Sequence, residues 1–314
     1  MKDGRPVVLV TGANGFVGQH LTPMLASSGW TVRRALRTPT GGQNEVLIGS
    51  IGPATNWQDA LVGVDAVVHL AARVHAPNEE HEFELYRAVN IEGTLNFARC
   101  AMSAGVRQFV FVSTILVNGR SSDGRAPFSE RDILTPQGVY GVSKAAAETG
   151  LRAIAQDGDM CVTIVRPPLI YGAGAKGNFQ LLAYAVEHGI PLPFASIGNR
   201  RAFLAVGNLN AFILERLLHA DRKFDVFLVA HDEQVSTPEF VRRIAKAAGT
   251  SARLFSMPTS LLSALLKISG RPEAYDSVVG SLELDVSKAA STGWRPRIAL
   301  DDGLRLAVSA RNSK

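Results

Sequence analysis

Cysteine is nearly absent from this 314-residue chain: Cys100 and Cys161 are the only two. That is too few for a disulfide framework or a cysteine-rich metal site. His20, His75, His81, His188, His219 and His231 fall at no metal-ligand spacing, so no metal is expected. No apolar run approaches the length of a membrane span, and the first residues pass into a strand pattern without a signal peptide, so the expected setting is soluble and cytoplasmic. No internal repeat or low-complexity linker is evident. The basic excess is small, +5 at pH 7, and Arg33-Arg34, Arg200-Arg201 and Arg242-Arg243 are pairs rather than runs. No aromatic residues interleave them, so a nucleic-acid partner is not expected and the charge points to anionic small molecules.

With 46% hydrophobic and 19% charged residues, the chain can bury a large core and is not disordered. Its length exceeds the usual single domain, which suggests two intimate domains or one domain with an appended lobe. Arg5-Pro6-Val7-Val8-Leu9-Val10 is a short apolar run rich in β-branched residues, the pattern of a strand buried on both faces. Gly12, Gly15 and Gly18 follow at once, and then Phe16, Val17, Leu21, Met24 and Leu25 recur at helical spacing up to a C-cap candidate at Gly29. Glycines in a strand-to-helix turn let a backbone approach a ligand, and free N–H groups at the helix start favour an anion such as a pyrophosphate.

Further strand patterns occur at Thr31 to Leu36, Ala66 to Leu70, Gln108 to Val112 and Val162 to Arg166. Helical patterns lie between them, at Trp57 to Leu61, at Ala88 to Ala104 and from near Tyr140. This alternation predicts an α/β fold, a Rossmann doubly wound parallel sheet with a smaller C-terminal substrate-binding lobe. We expect the dinucleotide-binding domain over 1–172 with a return segment at 202–230. The substrate lobe is expected over 173–201 and 231–314. The second half is less regular, with helical stretches near Leu209 to His219 and Pro238 to Ala248.

Tyr140 and Lys144 are four residues apart, so on a helix they share a face one turn from each other. A free phenol titrates near 10; an ammonium within a few ångströms favours phenolate, and reaching about 7 needs roughly 4 kcal/mol of differential stabilisation. Lys144 together with an oxidised nicotinamide is the expected source. Thr114 follows the strand Phe109-Val110-Phe111-Val112-Ser113, which places a hydroxyl at a strand's carboxyl end, where ligands of doubly wound sheets sit.

These segments resemble a family. Thr11 to Gly18, His69-Leu70-Ala71-Ala72, Asn90, Ser113-Thr114, Tyr140-Gly141-Val142-Ser143-Lys144 and Gly293-Trp294-Arg295-Pro296 are similar, in order, to the signatures of the extended short-chain dehydrogenase/reductases. The likeness is to the NAD-dependent epimerase/dehydratase branch that acts on nucleotide sugars. The resemblance implies Thr114, Tyr140 and Lys144 as catalytic residues, with Thr114 preferred over Ser113 by the register counted back from Gly119. It implies a cofactor set of Gly12, Asn14, Gly15, Phe16, Val17, Gly18, Arg37, Ser50, Ile51, Leu70, Ala71, Ala72 and Pro167, besides Tyr140 and Lys144. For the substrate diphosphate it implies Asn178 and Arg201, with Arg271 as a further candidate; His69 is given a structural role. Family members often dimerise through paired helices, so a homodimer is a possible assembly.

Departures from the family pattern bear on the reaction. Where members holding NAD carry an acid at the end of the second strand, this chain has Leu36 followed by Arg37, which favours NADP(H), with NAD(H) as the alternative. Ser50-Ile51 stands where an Asp-hydrophobic pair often flanks adenine. Ile115-Leu116 occupies the place of the dehydratases' Asp-Glu pair, and neither can transfer a proton, which disfavours 4,6-dehydration. Asn118 replaces the tyrosine common before Gly119. The chain is similar to the subgroup that includes UDP-N-acetylquinovosamine-forming reductases and is often labelled UDP-glucose 4-epimerase-like. The preferred expectation is NADPH-dependent reduction of a UDP-4-keto-6-deoxy-N-acetylhexosamine. The alternative is a UDP-hexose or UDP-N-acetylhexosamine 4-epimerase with bound NAD, and a non-catalytic NADP-binding regulator ranks last because Tyr140 and Lys144 are both present.

Overall fold

The computed structural model describes residues 4–74, 83–219, 222–268 and 273–312. His75, His81 and Arg271 lie outside these described residues. The chain forms two compact units. The first comprises Met1–Asn118, Ile133–Arg166 and Asn210–Phe227, and the second Gly119–Asp132, Pro167–Leu209 and Leu228–Lys314. Residues Gly119–Asp132 thus belong with the second unit although they interrupt the first in sequence.

The first unit begins with β1 (Val7–Thr11), α1 (Phe16–Ser27), β2 (Thr31–Leu36), β3 (Glu45–Leu47), α2 (Gln58–Leu61) and β4 (Ala66–His69). A helical run then passes from α3 (Phe83–Tyr86) through a π-helical stretch, Arg87–Gly93, into α4 (Thr94–Ser103). β5 (Gln108–Val112), a short 3-10 turn at Ile115–Val117, α5 (Gly138–Asp157) and β6 (Cys161–Arg166) follow. Next in the chain come β7 (Leu169–Tyr171), α6 (Asn178–Glu187), β8 (Phe203–Ala205), α7 (Val206–His219) and β9 (Phe224–Leu228).

The main sheet has seven strands in the order β3-β2-β1-β4-β5-β6-β9. The pairs from β3 through β6 are parallel. The order reverses beside β1, so the carboxyl ends of β1 and β4 flank the switch point where doubly wound sheets bind ligands. Complete burial of all four residues of β4 explains its Val-Val run, since a strand covered on both faces has no polar side. On one face Phe97 of α4 stacks on Trp57 at 3.9 Å and meets Phe109 of β5 at 5.4 Å. Leu151 and Ile154 of α5 join the same core.

In the second unit β7 and β8 form a two-stranded parallel sheet. It is followed by α8 (Thr237–Ala247), α9 (Thr259–Ile268), α10 (Glu273–Val278), α11 (Ser287–Ser291) and α12 (Leu300–Asn312). Phe203 and Phe240 stack at 3.7 Å between β8 and α8. Backbone hydrogen bonds tie residues 122–128 to 281–285, and 200–202 to 282 and 235. These bridges order a region whose turn-rich sequence carries little strand signal.

Candidate active site

Three glycines of the β1–α1 turn do three different jobs. Gly12 has φ +68°, and a Cβ there would sit 2.9 Å from the Ala71 backbone nitrogen, so only glycine lets the loop after β1 touch the loop after β4. Gly18 leaves no room at all, because a Cβ would lie 2.3 Å from the Gly12 oxygen. Gly15 is the N-cap of α1 and supplies no side-chain cap, which leaves N–H groups of the first turn for an anion. Asn14 and Gly15 are exposed, Phe16 and Val17 half-buried. This cradle, which side chains would fill, fits the pyrophosphate of a dinucleotide.

His69 ends β4 as an interior residue, 1% exposed. Its Nδ1 lies 2.6 Å from Thr11 Oγ1 and its Nε2 3.0 Å from Thr94 Oγ1. The Ala71 N–H also reaches Thr11 Oγ1, at 3.3 Å. Burial, assisted by the nearby charge of Lys144, holds the imidazole down at about 3, so it is neutral and satisfied by two hydroxyls that can each donate or accept. Leu70, Ala71 and Ala72 are thereby fixed, half-buried, beside the glycine turn.

Tyr140 lies in the first turn of α5, where no acidic residue offsets the positive helix end. Lys144, one turn on, is 1% exposed, and its Nζ sits 3.8 Å from the Phe111 ring centre. Burial pushes the phenol up to about 12 and the ammonium down to about 7, the latter opposed by Glu148. In the protein by itself desolvation is the largest influence on both groups. The backbone beneath Tyr140 is braced. Asn90, in the π-helical stretch, donates to Ser143 Oγ at 3.0 Å, and Ser143 donates to the Tyr140 carbonyl at 2.8 Å.

Thr114 is the N-cap of the 3-10 turn, its Oγ1 accepting the Leu116 N–H at 3.3 Å. That leaves its O–H free to donate. The neighbouring Ser113 is 4% exposed, and its hydroxyl has no hydrogen-bond partner among the described residues. Ile115 is buried, so the turn brings no acid to the site. Asn118 is fully buried and accepts from Arg166 at 3.0 Å. Arg166 in turn grips Glu148, with Nη2–Oε2 at 2.5 Å and both side chains 4% exposed. Sequence reasoning missed this pair; its only signal was an Arg closing an apolar strand and a Glu one turn after Lys144.

Of the three arginines near the end of β2, two are occupied. Arg33 donates to the carbonyls of Ala60 and Val62, at 2.7 and 2.8 Å, and Arg34 pairs with Glu45 at 2.6 Å. Glu45 also accepts from Thr40 and the Gly42 N–H, and these bonds hold its carboxyl down at about 2. Arg37 is exposed and makes no ion pair with a described residue, while Leu36 is buried at 2% exposure. Ser50 is exposed; Ile51 is half-buried, and a Cβ on Gly93 would lie 2.7 Å from its Cγ2. Pro167 follows β6 and is buried.

In the second unit Asn178 opens α6 and is exposed. Arg201 donates through Nη1 to the carbonyls of Asp276, at 2.8 Å, and Gly280, at 2.5 Å. No hydrogen bond joins Asn178 to Arg201 among the described residues. Arg200 pairs instead with Glu283 at 2.9 Å. Among the described residues no cluster of three or more His, Cys, Asp or Glu is placed to hold a metal ion, and no helix is long and apolar enough to cross a membrane.

The NAD dependent epimerase/dehydratase family model matches residues 8–230. The chain belongs to this family. A UDP-glucose 4-epimerase of Vibrio cholerae is 36% identical over 310 residues, covering 96% of this chain and 94% of that protein. An N-acetyl-alpha-D-glucosaminyl-diphospho-ditrans,octacis-undecaprenol 4-epimerase of Escherichia coli O157:H7 is 26% identical, with 95% and 92% covered. Among solved structures, MoeE5 in complex with UDP-glucuronic acid and NAD superposes with a TM-score of 0.79 at 28% identity, covering 98% of this chain and 99% of the other. RMD from Pseudomonas aeruginosa, complexed with NADPH, shares the fold at a TM-score of 0.73 and 24% identity, covering 98% of this chain and all of that one. The chain is thus an extended short-chain dehydrogenase/reductase enzyme that uses an NAD(P) cofactor and a nucleotide-sugar substrate.

Proposed function

We propose that the chain is a 4-epimerase of a UDP-hexose or UDP-N-acetylhexosamine. The observation that carries this reading is the near full-length likeness to the Vibrio cholerae UDP-glucose 4-epimerase, joined to an intact Thr114, Tyr140 and Lys144. The glycine turn, with Leu70, Ala71 and Ala72, would hold the dinucleotide. When bound, a nicotinamide would supply the hydride acceptor and donor and, in its oxidised form, a positive charge that favours phenolate. Tyr140 takes the proton from the sugar 4-hydroxyl and later returns it. Lowering its phenol from about 12 to neutrality needs about 7 kcal/mol of differential stabilisation, to which the helix start and Lys144 contribute. Thr114 donates its O–H to the reacting oxygen and stabilises the charge that develops there. Asn178 and Arg201 are proposed for the diphosphate; with Nη1 committed to two carbonyls, Arg201 keeps its other donors for phosphate oxygens. A cytoplasmic setting and a homodimer complete the reading.

A second reading rests on one specific observation: Leu36 stands in place of an acid and Arg37 is exposed and unpaired among described residues. That arrangement suits a 2′-phosphate and NADPH-dependent reduction of a UDP-4-keto-6-deoxy-N-acetylhexosamine. Reverse-phase analysis of cofactor released from purified protein separates the two. Bound NAD with epimer interconversion and no added cofactor supports the epimerase; cofactor-free protein that consumes NADPH with the keto sugar supports the reductase.

A further inference from the structure

We propose that Arg166 is a positioning residue for the C4 chemistry, tying the turn that carries Thr114 to the helix that carries Tyr140 and Lys144. This rests on the functional reading above for its kinetic consequence, though the tie itself is a matter of geometry. Arg166 closes β6 and spends its fork on two elements at once: Nε lies 3.1 Å from each Glu148 oxygen and Nη2 2.5 Å from Oε2, both on α5. Nη1 lies 3.0 Å from Asn118 Oδ1. Asn118 is the C-cap of the 3-10 turn whose N-cap is Thr114.

The two elements also touch directly. The Gln137 N–H donates to the Leu116 carbonyl at 3.0 Å, and a Cβ on Gly141 would lie 3.0 Å from that same oxygen. Thr135 Oγ1 caps the Asn118 carbonyl at 2.5 Å. The spacing between the Thr114 turn and the start of α5 is therefore set by close backbone packing, in which a Cβ at Gly141 would press on the Leu116 oxygen, and Arg166 adds a side-chain tie between the same two elements. Only a planar guanidinium can reach a carboxylate and an amide this way; an ammonium is a point donor.

Glu148 has a second effect, because it lies one turn beyond Lys144. Among the described residues Lys144 interacts with Glu148 on its own helix and with the neutral His69 on β4, above the Phe111 ring of β5; Tyr140 lies one turn back, and Arg166 of β6 is joined to Glu148. Glu148 is the sole acid in this set, and it favours the ammonium. Loss of its charge disfavours the ammonium more than the phenol, which lies a turn farther away.

The test compares Asn118→Ala, Asn118→Asp, Arg166→Lys and Glu148→Gln with wild type, using UDP-glucose and UDP-N-acetylglucosamine as substrates. Hydrogen exchange of residues 114–118 is followed in parallel without substrate. Asn118→Ala and Arg166→Lys are expected to lower kcat by about tenfold to a hundredfold, with KM little changed, as a misplaced group does. Faster exchange in 114–118 should accompany the loss, and Asn118→Asp, which restores an acceptor, should recover most of it. Glu148→Gln should move the alkaline limb of the kcat profile to lower pH. Unchanged kcat and unchanged exchange in Asn118→Ala would overturn the proposal; that variant keeps the ion pair and decides the matter if Arg166→Lys or Glu148→Gln fails to fold. If wild type turns over neither sugar, the functional reading falls, while the exchange rates still decide whether the tie exists.

Discussion

Thr11 and His69 meet side chain to side chain, Oγ1 to Nδ1 at 2.6 Å, at the ends of the two strands where the sheet order reverses. The bond joins the glycine turn to the loop of Leu70, Ala71 and Ala72 without exposing a titratable group to the ligand. A histidine at a strand end invites a catalytic role; here it is a rivet.

That rivet has a pH signature. His69 in the folded chain is held at about 3, against an ordinary 6.5, so below 6.5 the unfolded chain binds a proton that the native chain refuses. Stability is therefore full above the unfolded value and falls as pH drops toward 3, by up to about 5 kcal/mol in the limit. His231, held at about 4 by burial, adds in the same direction. Urea unfolding of His69→Gln should show a shallower decline between pH 6.5 and 4 than wild type, at a cost near neutrality of about 1–3 kcal/mol from the lost bonds. An identical acid slope would contradict the assignment.

The glycines separate stability from cofactor affinity. Gly18→Ala forces a Cβ onto the Gly12 oxygen at 2.3 Å and should cost about 1–3 kcal/mol or more. Gly15→Ala meets the same atom at 3.1 Å with φ −79°, so it should fold within about 1 kcal/mol of wild type while weakening dinucleotide binding. Thermal melts and calorimetric titration with NAD and NADP should show this order.

Cofactor choice is tested at Arg37 rather than at Leu36, because an aspartate at 36 would replace a side chain that is 2% exposed. Arg37→Ala is expected to weaken NADP binding by about ten- to a hundredfold, the worth of a charge-assisted contact of about 1.5–3 kcal/mol. NAD binding should stay unchanged. An equal loss for both cofactors would place Arg37 away from the 2′-position.

Much of the fold was legible because its signals are local. The apolar runs at β1, β4, β5 and β6 and the helix spacing after Gly18 belong to single segments. The Tyr140-to-Lys144 spacing is of the same kind. What escaped depends on partners far away in the chain. Glu148 and Arg166 are 18 residues apart and Asn118 and Arg166 48 apart; nothing in their own neighbourhoods marks them as joined. Arg33 and Arg34 in β2 and Arg37 just after it looked alike in sequence, yet Arg33 and Arg34 are taken up by Ala60, Val62 and Glu45, whereas Arg37 is exposed and makes no ion pair with a described residue. β3, β7 and β8 are three residues each, too short for an alternating pattern to register.

Tyr140→Phe removes the proton carrier and leaves the ring. kcat should fall by about a hundredfold to ten-thousandfold, with dinucleotide still bound, because the glycine turn is untouched. Activity within a few-fold of wild type would mean that another group moves the proton.

The most direct measurement follows the hydrogen on the sugar carbon itself. Purified protein is given a UDP-hexose carrying deuterium at C4, with no cofactor added, and the product is read by NMR. Hydride transfer at C4 predicts the epimer with its deuterium retained and a slower rate than for the unlabelled sugar. An epimer whose label has washed into water, or no epimer from protein shown to carry NAD, would contradict the account.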